Sequence, residues 1–401
     1  MQKANEMTDK NLPLSHLKVL DLTRVRGGPV CVRQFADWGA DVIKVETPRG
    51  VGGEDGYTGQ RHSSDFQNLH RNKRSMGINL KSESGKEIFA KLVEQADIVV
   101  ENYRPGVKFR LGIDYESLKK INPRIILGSL SGFGQTGPYA DRPGVDQIAQ
   151  GMGGLMMVTG EPGAGPMRAG TAIGDITGGL YLAFGVLAAV IERDKSGEGQ
   201  WVHTSLLQAL IAVMDFQCTR WLMDSEVPKQ SGNSHPTSSA TNMFETRDGY
   251  INIAGGQAQI WPRLCEALET PHMMEDEEFA DPARRRRIRE RVWEEITKAT
   301  KKRTSADWVE RLNAAGVPCG PIYTMDQVFA DPQVKHLAMA AGVTHPALGD
   351  IDLVAQPLGF SRAEFAIRSA TPEQGEHTDA ILEELGYDAD EIAKLHDEKA
   401  V

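Results

Sequence analysis

The chain has 401 residues, 40% hydrophobic and 25% charged, an ordinary globular composition that allows a sizeable buried core. Its 45 Lys and Arg against 55 Asp and Glu leave a net charge of −10, which argues against non-specific binding to nucleic acid or to an anionic membrane. Cys31, Cys218, Cys265 and Cys319 are widely spaced without a CxxC pair, and the ten histidines lack HxxxH spacing, so neither a zinc site nor a disulfide framework is indicated.

The N-terminal stretch MQKANEMTDKNLPLSHLKVL has no continuous apolar segment, so no signal peptide is expected and the default location is the cytoplasm. Residues 17–46 read as a βαβ unit. LKVLDL has strand length, RVRGGPV is a turn with Gly27, Gly28 and Pro29, VCVRQFADWG spaces its apolar residues as a helix does, and ADVIKVE is a second strand. An amphipathic helix follows at 85–96, then the strands DIVVEN and RIILGSL. Strands alternating with helices predict an α/β fold with a parallel, doubly wound sheet.

The apolar run Ile176–Ile191, broken by three glycines, is short for a membrane span and reads as a buried core helix. Beyond Gly199, QWVHTSL predicts a strand and LQALIAVMDFQCTRWLM one helix. The Ser-, Pro-, Asn- and Gly-rich stretch 227–242 marks a domain boundary. A large domain is therefore expected over 1–225. A smaller α/β domain follows over 226–325, with the strand YINIAGG and helices near 258–269, 283–300 and 304–315. Residues 326–401 return to complete the large domain. The arginine run at 284–287 reads as a solvated helix face, because acidic residues flank it and its charges spread around the helix.

Two segments mimic dinucleotide binding. Gly132-x-Gly134-x-x-Gly137 follows a strand, but Pro138 comes next and no helix opens there to receive a pyrophosphate. The turn after the first strand is RVRGGP rather than GxGxxG, although Glu46 ends the second strand where a ribose-binding acid could sit. A nicotinamide dehydrogenase is therefore disfavoured, while an adenine nucleotide bearing phosphate fits the same crevice. The stretch RAGTAIGDITGGLYLAFGVLAAV is more informative. Asp175 stands at the start of a helical run and reads as its N-cap. A carboxylate there is held ionised by amides and the helix dipole, and an ionised carboxylate can act as a covalent nucleophile. Both readings stay open on these residues alone.

The sequence resembles the class III CoA-transferase family (CaiB/BaiF type) from about residue 17 to the C-terminus. The resemblance rests on LKVLDLTRVRGGP, GADVIKVE, NKRS (72–75), ADIVVENYRPG, NPRIILGSLSGFGQTGPYADRPGVD, AIGDITGG, SGEGQWV, AGVPCGPI, DPQV and GEHTDAILEELGY. The family includes formyl-CoA, carnitine and succinate-dependent dicarboxylate CoA-transferases, with α-methylacyl-CoA racemase as a branch. It implies a Rossmann-like large domain and a smaller α/β domain, with two chains threaded as interlocked rings in a homodimer. It implies coenzyme A, carried as acyl-CoA, and a small carboxylic acid as partners, with no metal or redox cofactor.

The resemblance makes Asp175 the nucleophile. CoA contacts fall on Val25, Arg26, Gly27, Lys73, Asn102, Tyr103, Arg110, Gly132 and Phe133, with Arg49 and Arg74 as phosphate partners. Gly255, Gly256 and Gln257 match a glycine-rich loop over the active site. The racemase branch carries a histidine where this chain has Val145, and an acid in the glycine-loop stretch where 251–263 has none, so a transferase is the expected activity. Asp146 reads as the cap of its own helix. Arg26 replaces an active-site glutamine of formyl-CoA transferase; it and Arg168 are candidates to pair with a second carboxylate on a dicarboxylate substrate. A CoA-binding homologue without catalysis remains an alternative, which an intact Asp175 argues against.

Overall fold

The computed structural model describes residues 12–51 and 59–401, so the reading of the first eleven residues lies outside the described part. Six strands form one parallel sheet: β1 (Lys18–Asp21), β2 (Asp41–Glu46), β3 (Arg74–Gly77), β4 (Ile98–Glu101), β5 (Ile126–Ser131) and β6 (Trp201–Ser205), in the order β3-β2-β1-β4-β5-β6. Leu20 of β1 sits between Ile43 of β2 and Val99 of β4. Side chains alternate between two cores, as the two-residue strand period requires. Val19, Val42 and Ile98 pack with Phe35 of the helix Gly27–Asp37 and Leu182 of the helix Ile173–Ser196. Leu20, Ile43 and Val99 pack with Ile88 of the helix Glu83–Gln95.

From β1 the chain winds outward to β3 and then returns to the other side of β1 to begin β4. The loops after β1 and β4 therefore diverge, and open α/β sheets bind ligands in the crevice at this switch point, outside the carboxyl ends of the strands. The C-terminal segment packs onto the same sheet. Ile381 and Ile392, from the helices Thr378–Glu384 and Ala389–Asp397, enter the second core, and the His377 amide donates to the Ser75 carbonyl at 2.9 Å.

Two compact units are present. The larger takes 12–155, 168–225 and 335–401 of the described residues; the smaller takes 156–167 and 226–334. The smaller unit thus claims a short upstream segment that its sequence did not mark, and its chain leaves nearer 335 than 326. It holds the antiparallel strands β7 (Thr241–Glu245), β8 (Tyr250–Ala254) and β9 (Cys319–Pro321). Its own core includes Phe244, Ile253, Trp261, Leu264, Ile296 and Trp308. In the larger unit β10 (Ala340–His345) and β11 (Gly349–Val354) form a hairpin.

Three expectations change. The helix expected after β6 is two, Leu206–Val213 and Phe216–Asp224, because Asp215 between them has φ +39°. The arginine run is not wholly solvated. Arg285 is buried, stacks 4.0 Å from the Trp261 ring, and donates to Ser239 Oγ (3.1 Å), the Phe279 carbonyl (2.7 Å) and the Gly256 carbonyl (3.3 Å). The apolar run within Ile173–Ser196 is buried on one face only. Leu182, Val186 and Ala189 are enclosed, whereas Leu180, Tyr181, Phe184 and Ile191 are exposed. Among the described residues this is the one helix long and apolar enough to cross a membrane, and its enclosed face belongs to the sheet core.

Candidate active site

The turn after β1 is held from both sides of the switch point. Asn102, just past β4, accepts the Arg24 amide at 2.8 Å and donates to the Arg24 carbonyl at 2.7 Å. The Arg24 guanidinium lies 4.9 Å from the centre of the Tyr103 ring. Asp21 accepts both the amide and the hydroxyl of Thr23, at 2.9 and 2.6 Å, and pairs with Lys73 Nζ at 2.8 Å. Val25 follows with φ +64°, the left-handed region that a β-branched side chain rarely adopts. The helix Gly27–Asp37 begins directly after Arg26.

Onto this turn comes the start of the helix Ile173–Ser196. Gly179 makes the approach possible: a Cβ there would land on the Gly27 carbonyl oxygen and 2.8 Å from Val30 Cβ. Asp175 lies in the first turn of that helix, but the cap position is Ala172, with no side-chain cap. The Asp175 carboxylate instead accepts the Gly27 amide, and a Cβ on Gly27 would sit 3.0 Å from its Oδ1. The N-cap reading is thus corrected: the amide that meets the carboxylate comes from the first βα turn, not from its own helix.

The electrostatics correct a second expectation. Asp175 is pushed up from 3.8 to about 6. Burial is the main cause and the charge of Asp146 adds to it; Arg26 and the Gly27 amide oppose them. Asp146 does not cap its own helix, whose cap is Val145. Its carboxylate accepts the Gly174 amide at 2.8 Å and Gln150 Nε2 at 2.7 Å, and Gln150 in turn accepts the Ala169 amide at 2.9 Å. A buried acid therefore pins the start of the helix that presents Asp175.

The fold gathers Val25, Arg26, Gly27, Asn102 and Tyr103 at the switch point. Gly132 follows β5, and its carbonyl accepts the Leu207 amide at 3.2 Å; the Phe133 ring meets Tyr139 edge-on. Arg110 is exposed on the helix Pro105–Leu111, and Arg168 is exposed where the chain re-enters the larger unit. Two of the expected CoA contacts stand elsewhere. The Lys73 ammonium is wholly enclosed with Asp21, because both sit under the β1 turn, so it braces that turn from within. Arg74 opens β3 at the amino edge of the sheet and is bound by Asp41 and Glu384, both at 2.7 Å. Arg49 is an exposed side chain 3.9 Å from Glu373. Glu46 is taken by Arg61 and Ser75, both at 2.6 Å, rather than left open for a ribose.

Gly255, Gly256 and Gln257 belong to the smaller unit. The Gly255 amide donates to the Ala240 carbonyl at 2.8 Å, and the Gln257 carbonyl accepts the amides that start the next helix. A Cβ at Gly256 would strike Ser238 Oγ, so this turn is packed closely against its support. A group outside both sites, His62, His345 and Glu373, has the residue types of a metal centre. However, His345 Nδ1 accepts the Ala347 amide at 3.0 Å. The neutral ring then carries its proton on Nε2 and offers no lone pair to an ion.

Sequence and structure comparisons decide what kind of protein presents this aspartate. Residues 14–378 match the profile of CoA-transferase family III. The chain belongs to CoA-transferase family III. The succinate–glutarate CoA-transferase of Agrobacterium fabrum is 37% identical over 390 residues, covering 95% of this chain and 97% of that protein. Human succinyl-CoA:glutarate CoA-transferase is 33% identical over 388 residues, covering 96% of this chain and 88% of that protein. The crystal structure of a CAIB/BAIF family protein from Brucella suis superposes with a TM-score of 0.81 at 37% identity, covering 94% of this chain and all of that one. The six-stranded parallel fold is thus that of CaiB/BaiF proteins, and the activity is that of a family III CoA-transferase.

Proposed function

We propose that this family III CoA-transferase moves coenzyme A between dicarboxylic acids, with Asp175 as the covalent nucleophile. The observation that carries the reading is the half-buried Asp175 carboxylate set against the Gly27 amide at the switch point of the sheet. Desolvation and the neighbouring Asp146 charge raise its basicity, which makes the ionised form a better nucleophile than a hydrated surface carboxylate. An Asp175 oxygen attacks the thioester carbonyl; the C–S bond breaks and CoA leaves as the thiolate. The mixed anhydride left behind is attacked by the thiolate at the aspartyl carbon, which expels the donor acid and forms an aspartyl-CoA thioester. The acceptor carboxylate then attacks that aspartyl carbon, releasing CoA thiolate and forming a second anhydride. Attack of the thiolate on the acceptor's acyl carbon gives the product and restores Asp175. Backbone amides of the first turn are the donors nearest the developing charge. The relatives named above act on succinate and glutarate, and Arg26 gives this chain a cation beside the nucleophile.

The racemase alternative needs a second proton carrier beside the substrate. At the position preceding Asp146 the chain offers only the exposed Val145 side chain. The test is Asp175→Asn. Turnover of succinyl-CoA with glutarate should fall about 10³-fold or more, as expected for loss of a nucleophile, while CoA still binds. Wild-type protein with acyl-CoA and hydroxylamine should yield a hydroxamate at Asp175 by mass spectrometry. A variant that keeps more than a few per cent of wild-type turnover sinks the assignment.

The homodimer expected from the resemblance is proposed here as well. Phe184 and Ile191 on the long helix, and Trp221, Leu222 and Met223 beyond the next, leave apolar side chains of the larger unit exposed that a second copy would cover.

A further inference from the structure

Arg26 is the residue between the strained Val25 and the Gly27 amide that meets Asp175. Its own backbone, φ −141° and ψ −59°, lies outside the helix that follows. The side chain is 29% exposed, and Nη2 donates to Asp65 Oδ2 at 2.6 Å. Asp65 is 72% exposed at the start of the short helix Ser64–His70. The ion pair is therefore a single-point contact whose acidic half stands in water, and such pairs contribute little. A guanidinium carries five donors in a planar fork and binds a carboxylate from solution as readily as one from the chain. The charge of Arg26 already reaches Asp175, where it counteracts burial and Asp146.

We infer that Arg26 determines substrate specificity. It seats the distal carboxylate of a dicarboxylic acid while the proximal carboxyl group reacts at Asp175, and Asp65 is the internal carboxylate that holds this arginine until the substrate displaces it. The inference rests on the reading of Asp175 as nucleophile. The exchange is one carboxylate for another on the same cation, and the released Asp65 carboxylate, 72% exposed, is taken up by water. That arrangement has a specific consequence. A monocarboxylic acid leaves Arg26 with Asp65 rather than with nothing, so discrimination against it is softer than in a site whose cation has no substitute partner. Removing the Asp65 charge should therefore sharpen the preference for diacids, whereas removing Arg26 should erase it.

The experiment compares glutarate with valerate, acids of equal chain length that differ in the second carboxylate. The ratio of their kcat/KM values is measured with one fixed CoA donor in wild type, Arg26→Gln, Arg26→Lys and Asp65→Asn. Binding of the same acids to the CoA-loaded Asp175→Asn protein and its Arg26→Gln double variant is measured by calorimetry. Arg26→Gln should lower the glutarate-over-valerate ratio about 10²-fold, the scale of a charge pair losing one partner, with Arg26→Lys in between. Asp65→Asn, a change on an exposed side chain, should lower the glutarate KM several-fold. A ratio within twofold of wild type in Arg26→Gln overturns the specificity role, and an unchanged or higher glutarate KM in Asp65→Asn overturns the placeholder. The calorimetric arm involves no turnover, so loss of glutarate selectivity there supports Arg26 even where the Asp175 assignment fails.

Discussion

In the proposed mechanism two demands meet in the Asp175 carboxyl group: it must be ionised to attack, and it must be basic enough to attack well. Burial and Asp146 set the compromise at about 6. With succinyl-CoA and glutarate, kcat/KM should be level above that pH and fall about tenfold per unit below it, as a required base is protonated. Stability should move the other way. The folded-state value lies above the ordinary 3.8, so between these values the folded chain binds more protons than the unfolded one. Stability from this group is then full below about pH 4 and declines as pH rises through about 6. Asp175→Asn lacks that decline, so its melting temperature should gain on wild type between pH 4.5 and pH 8. An equal offset at both pH values would remove the raised carboxyl from the account. AIGDITGG and the resemblance it carries singled out Asp175. Its environment was not legible, because the Gly27 amide and Asp146 come from remote stretches of chain. Lys73 differs: the resemblance made it a CoA contact, and nothing in NKRS shows that Asp21, beneath the β1 turn, encloses it.

Between elements, the decisive contact is the crossing of the helices Gly27–Asp37 and Ile173–Ser196. Gly179 lets the second helix lie against the Gly27 carbonyl, and this approach brings Asp175 to the Gly27 amide. Gly179→Val would force the two apart by side-chain bulk against backbone, a contact that rotamer changes cannot relieve. We expect a loss of about 1–3 kcal/mol in denaturant unfolding, the usual cost of overpacking, and a fall in kcat larger than any change in CoA affinity. A variant with wild-type kcat would show that the crossing does not position the nucleophile. The strands and this long helix were legible from their apolar runs. The break at Asp215 was not, since the apolar pattern runs on through it. The burial of Arg285 was equally invisible: four arginines in a row look alike until Trp261 and the Gly256 carbonyl single one out.

For the molecule as a whole, the chain path and the exposed apolar side chains both bear on the proposed homodimer. The chain leaves the larger unit after Ser225 and rejoins it at Lys335, and the C-terminal helices then pack in the core beside β1 and β3. The resemblance carried by GEHTDAILEELGY implied such a return, and Ile381 and Leu382 of that stretch lie in the core of the larger unit. The excursion at 156–167 was not legible, because nothing in MMVTGEPGAGPM distinguishes a crossing from a loop. Meanwhile Phe184 is 73% exposed and Leu222 80% exposed in the single chain. Large apolar side chains left this open on two helices are typical of an obligate interface, which is broad and hydrophobic. If two such chains thread one another, separation requires the C-terminal segment to leave the sheet core, so dissociation is coupled to unfolding rather than to dilution. Native mass spectrometry and ultracentrifugation should then find a dimer down to nanomolar concentration. Subunit exchange with a tagged copy should be no faster than global unfolding, and denaturant transitions should shift with protein concentration. Leu222→Asp and Phe184→Asp should reduce folded yield rather than release monomer. A stable folded monomer, or exchange within minutes under native conditions, would rule out the interlocked assembly.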